Sequence, residues 1–257
     1  MRTIAVLNPK GGSAKTTTTV NIAASLAAMG RRVLVIDLDP QGMASSWLGV
    51  LHATRTVVGA IRGDSELTDL IHETTVAGVQ LVPASAMLVV DNRWPGSDLA
   101  RGLMRAMDRL PPAWDFALLD TAPTLGYLAL APLAISDGVL VPVEARGLAL
   151  AALANVMEIT QHVRGRLNPE LRIDGILACR VTNAAHCRDV LESIVDAYPD
   201  LMMRTQVRDS IRMAEAPAHC SPISMYAPGS SGDRDYAAAT TELLERIESD
   251  AHRPEKL

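Results

Sequence analysis

The sequence predicts a doubly wound α/β fold, a mostly parallel sheet with helices on both faces. Three observations lead there. Short β-like runs alternate with helical stretches along the whole chain. Several of those runs are continuously apolar rather than alternating, as expected for strands covered on both sides. The first run, Ile4-Ala5-Val6-Leu7, passes directly into a glycine-containing loop and then into a helical stretch, the setting a phosphate-binding loop requires.

The elements follow in order. A strand is expected at 3–7 and a helix at 16–29. Further strands are expected at 33–37 and 79–82, then a helix at 98–109. The apolar run 116–120 reads as a strand, 125–135 as a helix, 138–142 as a strand and 148–166 as a helix. The last third alternates in the same way: strand 173–178, helix 185–197, strand 201–206, helix 233–249. Pro111-Pro112 and Pro228-Gly229-Ser230-Ser231-Gly232 mark loops within one domain rather than linkers between two. The expected domain is therefore residues 1–257, with a polar tail at 250–257.

Composition narrows the function classes. Apolar residues make up 48% of the chain, enough for a large core, and the formal net charge of −5 excludes a blanket polycation. Any contact with nucleic acid must be a local patch. Cys179, Cys187 and Cys220 lack metal-ligand spacing and are odd in number, which predicts free thiols in a reducing compartment. No signal peptide is expected, because charge and the glycine loop interrupt the N-terminus. No apolar run approaches the roughly 20 residues that span a bilayer.

The loop Lys10-Gly11-Gly12-Ser13-Ala14-Lys15-Thr16 holds two of the chain's three lysines. Main-chain N–H groups at such a loop and helix N-terminus point at an anion, and a lysine supplies point charge. A glycine pair beside a lysine can also be an ordinary βα turn, so the downstream acids matter. Asp39 and Asp120 each follow an apolar strand and emerge at the same edge of the sheet. Asp37 reads as a helix cap or a structural hydrogen-bond acceptor.

The usual pattern GxxxxGK[ST] fails, since Pro9 and Ala14 occupy its two glycine positions, but KGGxxK[ST] fits. That segment resembles the deviant Walker A motif of the ParA/MinD ATPases, specifically the small Soj-like ParA partition proteins. Leu34-Val35-Ile36-Asp37-Leu38-Asp39-Pro40-Gln41-Gly42 is similar to the family's first switch. Leu118-Leu119-Asp120-Thr121-Ala122-Pro123 is similar to its Walker B and second switch. Ile211-Arg212-Met213-Ala214-Glu215-Ala216-Pro217 is similar to a late family segment. The resemblance implies a fold of the P-loop NTPase type and slow hydrolysis of ATP with Mg²⁺. Lys15 would lie along the β- and γ-phosphates, with Gly11, Gly12, Ser13, Ala14 and Thr17 lining the phosphates. Thr16 would ligate Mg²⁺, with Asp120 in its outer shell. Asp39 would orient the attacking water near the metal. Lys10 would reach the partner's phosphates across an ATP-bound homodimer.

The chain departs from that pattern in three places. Ala14 replaces a glycine, and a positive φ there would cost roughly 1 kcal/mol. Ala122 replaces a proline. Arg208-Asp209-Ser210 stands where relatives carry Pro-Arg-Asn near the adenine, so Arg208 and Ser210 are the base-side candidates.

The resemblance further implies nonspecific binding to double-stranded DNA, with Arg180, Arg188, Arg204, Arg208 and Arg212 as candidates. Between 172 and 212 acids are as numerous as arginines, so a basic patch requires the fold to segregate them. The implied partners are a second copy in ATP, DNA, and a ParB-like or other adaptor that triggers hydrolysis. The implied place is the cytoplasm, on the nucleoid. The cargo could be a chromosome, a plasmid or a protein assembly. The acidic end of the helix at 233–249 is unlike a membrane anchor, so no membrane partner is expected. The alternative is a nucleotide-gated scaffold that Ala14 keeps from turning over.

Overall fold

A computed structural model describes residues 1–90 and 96–251. Eight strands form one sheet: β1 (Arg2–Val6), β2 (Val33–Asp37), β3 (His72–Glu73), β4 (Val79–Val82), β5 (Phe116–Asp120), β6 (Gly138–Glu144), β7 (Arg172–Val181) and β8 (Met202–Arg208). Their spatial order is β3-β4-β2-β5-β1-β6-β7-β8. Every pairing is parallel except β3 with β4 at one edge.

Period-two alternation sends the strands' side chains to two cores. Ile4, Val33, Val35, Leu118 and Leu140 face one way. There they meet Val20 and Leu26 of α1 (Lys15–Ala28) and Tyr236, Ala239 and Leu243 of the C-terminal helix (Ser231–Ala251). On the other face, Leu34, Ile36 and Leu119 meet the helix at Val57–Arg62 and that at Gly96–Asp108. Ala5, Val139, Val141 and Ile176 on that same face meet helices at Tyr127–Ile135, Ala149–Arg166 and Ala185–Ala197. Strands covered on both sides must be apolar throughout. β2, β5 and β6 are accordingly buried at every position, including their terminal acids or their neighbours.

The structure corrects several boundaries. β8 runs over Met202–Arg208 rather than 201–206, and the last helix begins at Ser231 and continues through 250 and 251. Positions 250 and 251, expected in the polar tail, thus belong to that helix, and residues 252–257 of the expected tail lie outside those described. Among the described residues, seven short helical segments (five α and two 3₁₀) and the two-residue β3 were not expected. They are too short to display a period.

Strand order reverses around β1, whose neighbours β5 and β6 are reached by separate crossovers. In open parallel sheets this switch point leaves a crevice at the strands' carboxyl ends. The loop after β1 and the acids closing β2, β5 and β6 all converge there.

Candidate nucleotide site

The loop after β1 is pinned from below. Asn8 donates through Nδ2 to the Pro142 carbonyl at 2.8 Å, and its Oδ1 accepts the Lys10 N–H at 2.9 Å. Gly12 adopts φ 75°, which glycine tolerates without strain. Ala14 adopts φ 68° and ψ 25°, so the condition for backbone strain is met. Its methyl packs against the core under α1 and the C-terminal helix, while the residue also lines the cavity above.

The cradle has the features of an anion site. No side chain caps the N-terminus of α1. A Cβ built on Gly11 or Gly12 would meet no atom within 4 Å, so open space lies beside the loop. Ser13 Oγ is buried without a hydrogen-bond partner. Burial pushes the Lys15 ammonium down from its ordinary value, while the Asp120 and Asp39 carboxylates pull it back up. Its Nζ lies 3.3 Å from the Lys10 carbonyl oxygen, folded over the loop. A polyphosphate fits this donor set: orphan hydroxyl, uncapped helix end and a buried cation.

Asp120 closes β5 with both oxygens engaged. Thr16 donates through Oγ1 at 2.8 Å and Thr19 through Oγ1 at 2.9 Å. The Thr16 hydroxyl thus gives its proton to Asp120 and keeps its lone pairs for a cation. That is the arrangement of a metal-ligating hydroxyl backed by an outer carboxylate. Desolvation and the neighbouring Asp37 charge push Asp120 up to about 8. A divalent cation beside it would relieve that penalty, so these residues fit Mg²⁺.

Asp37 is fully buried and lies directly opposite Asp120 in the sheet register. It accepts from the Ser45 N–H at 2.8 Å, the Ser45 hydroxyl at 2.7 Å and the Asp39 N–H at 3.1 Å. It therefore caps the short helix Met43–Trp47 and holds the loop that presents Asp39, the structural alternative stated above. Burial, against those bonds, pushes Asp37 up to about 6. Asp39 itself is nearly buried and accepts the Gln41 N–H at 3.0 Å.

One cavity of about 580 Å³ joins these parts. Gly11 through Thr17 and Asp39 line it. Arg180, Val207, Arg208, Asp209, Ser210, Met213 and Pro217 line it as well. Arg208 and Ser210 are thus brought to the cavity, but the Arg208 guanidinium is committed to Asp235, at 2.9 Å through Nε and 2.6 Å through one terminal nitrogen. Beneath the cavity Thr18, Tyr236 and Cys179 form a buried polar knot that the sequence did not announce, with 3.2 Å between Thr18 Oγ1 and the Tyr236 hydroxyl.

The comparison with known proteins agrees with this geometry. A family model described as an AAA domain matches residues 1–173. The chain is 37% identical to the chromosome-partitioning ATPase Soj of Thermus thermophilus over 96% of its length and 97% of that protein's. It is 34% identical to the sporulation initiation inhibitor protein Soj of Bacillus subtilis, over 93% and 97%. The chain belongs to the ParA/MinD family of ATPases. Among solved structures, cobyrinic acid a,c-diamide synthase from Mycobacterium smegmatis with ADP and magnesium superposes with a TM-score of 0.83. It is 29% identical, and the match covers 100% of this chain and 99% of that one.

The family's arginine candidates are not segregated from acids here. Arg180 lies 3.0 Å from Glu144 and 3.4 Å from Asp209. Arg204 meets Glu242 and Glu245, Arg208 meets Asp235, and Arg212 meets Glu215 at 3.3 Å. Arg188 differs, donating to the Asn183 carbonyl at 3.4 Å. Sequence reasoning also missed Glu144. It closes β6 as Asp120 closes β5, and an acid ending a fully apolar run was the available signal.

Proposed function

We propose that this ParA-type ATPase is an ATP-gated switch that pairs two copies, holds DNA without sequence preference, and lets go when an adaptor stimulates hydrolysis. The observation that carries the reading is that Lys15, Thr16 and Asp39 line one cavity, with Thr16 donating to the buried Asp120 behind it at 2.8 Å. Lys15 and the loop amides bind the phosphates of ATP. Thr16 and Asp120 hold Mg²⁺, which when bound neutralises charge on the transferring phosphoryl group. Asp39, fixed by Asp37 and the Gln41 amide, orients the water. Lys10 serves the partner's phosphates, so charge stabilisation is complete only in the dimer.

Arg188 is the first DNA contact in this reading. Arg180, Arg208 and Arg212 join it only when their acid partners let go. Binding of this kind falls steeply with salt. The cytoplasm and the nucleoid surface are the corresponding place, and a ParB-like protein or another adaptor the trigger. Among the described residues no helix is long and apolar enough to cross a membrane. The gated-scaffold alternative needs Ala14 to crowd the phosphate. Its methyl rests on the core, which favours turnover.

The test is the rate of ATP hydrolysis with and without nonspecific double-stranded DNA. A slow rate raised by DNA is expected. A rate indifferent to DNA, with no retention of the ATP form on DNA at low salt, overturns the DNA part of the reading.

A further inference from the structure

Glu144 sits at the carboxyl end of β6 with its side chain only 9% exposed, and three cations from three segments surround it. Arg180 lies 3.0 Å from Oε1, Arg146 lies 3.4 Å from Oε1, and Lys10 Nζ lies 3.8 Å from Oε2. Arg180 reaches this place from a backbone at φ 54°, a conformation that a non-glycine residue adopts at a cost. Its other partner is Asp209 on the base side of the cavity. The Lys10 main chain is fixed at both ends, its N–H on Asn8 and its carbonyl under Lys15 Nζ, so only the side chain has freedom to move.

We propose that Glu144 is a positioning residue that holds the Lys10 ammonium within its own subunit, and that pairing of two copies must pull Lys10 off it. The inference rests on the reading that Lys10 acts across the dimer. The three contacts are unequal in the way such a latch needs. Lys10 is the most distant of the cations and its side chain is one-third exposed. When it leaves, the two arginines still neutralise a carboxylate that would otherwise be stranded in a nearly buried site. Release is therefore cheap but not free. An ion pair with one exposed partner couples by about two- to fivefold in an equilibrium constant. A dimer breaks two latches, so the restraint on pairing is about four- to twenty-fivefold.

The test is Glu144→Gln, with Glu144→Asp and Lys10→Ala beside it. The dimer dissociation constant is measured by light scattering over a protein dilution series in a non-hydrolysable ATP analogue. Nucleotide affinity is measured separately at concentrations where the protein is monomeric. Glu144→Gln should tighten the dimer by about four- to twenty-fivefold with monomer affinity unchanged. Glu144→Asp should return most of the restraint. If Lys10→Ala abolishes pairing while Glu144→Gln leaves it unchanged or weaker, the latch is wrong and the trans role of Lys10 stands. If Lys10→Ala pairs like the parent, the trans role fails and the latch falls with it.

Discussion

Replacing Ala14 by glycine separates backbone strain from steric obstruction. Ala14 precedes α1 at φ 68° and ψ 25°, a left-handed conformation where an N-cap residue is normally extended. Relieving that conformation stabilises the native loop by about 1 kcal/mol. Two losses oppose it. The methyl lies half-buried against the core beneath α1 and the C-terminal helix, so its contacts contribute up to about 0.8 kcal/mol. Glycine also widens the unfolded ensemble, at a cost of about 0.4–1 kcal/mol. The terms nearly cancel, and the expected change in unfolding free energy is within about 1 kcal/mol of zero. Because the methyl rests on the core, ATP affinity and turnover should each change by less than about fivefold. Denaturant unfolding, nucleotide titration and steady-state hydrolysis read the three quantities. A gain beyond roughly thirtyfold in affinity or turnover would refute the reasoning. It would mean that the methyl obstructs the phosphates and that the native chain is the poorly turning scaffold.

Other outcomes follow from the same geometry. Asp39→Ala should lower turnover by two orders of magnitude or more and accumulate ATP-bound dimers; loss of ATP binding instead would remove its water-orienting role. The Asp37–Asp120 pair gives a pH prediction with a definite sign. Burial raises both folded-state values, to about 6 and about 8, above the ordinary carboxylate value of 3.8. The native state thus binds protons more tightly than the unfolded chain. The resulting stabilisation is complete below about pH 4 and disappears as pH rises through the raised values. Nucleotide-free protein should lose melting temperature as pH rises from about 4 to about 8, and Asp120→Asn should flatten that loss; equal slopes in thermal denaturation would contradict it. Arg188→Ala should weaken DNA binding uniformly across sequences and lower the salt slope by about one. A slope that stays the same would take Arg188 out of the interface.

The sequence made the central strands and the phosphate loop legible for physical reasons. β2, β4 and β5 fall where expected because strands buried on both faces must be apolar at every position. The helix Ala185–Ala197 was legible because it is long enough to show its period. β8 was displaced because it is an edge strand carrying Arg204 and Arg208 among its apolar residues. β3 is two residues long and left no pattern. Lys10, Lys15 and Thr16 are adjacent in the chain, and Asp39 and Asp120 end strands, so the site could be assembled from local signals. The contacts of Glu144 could not, because its cations arrive from the first loop, the β6 exit and β7. The pairing of Arg208 with Asp235 was hidden for the same reason, and it changes what Arg208 can do at the cavity.

The most direct test of the ATP-gated switch is the molar mass in solution by light scattering, in ATP and in ADP, for the parent and for Lys10→Ala. The account predicts a dimer of the parent in ATP, a monomer in ADP, and a monomer of Lys10→Ala in both with nucleotide still bound. A parent whose mass is the same in ATP and ADP would contradict it.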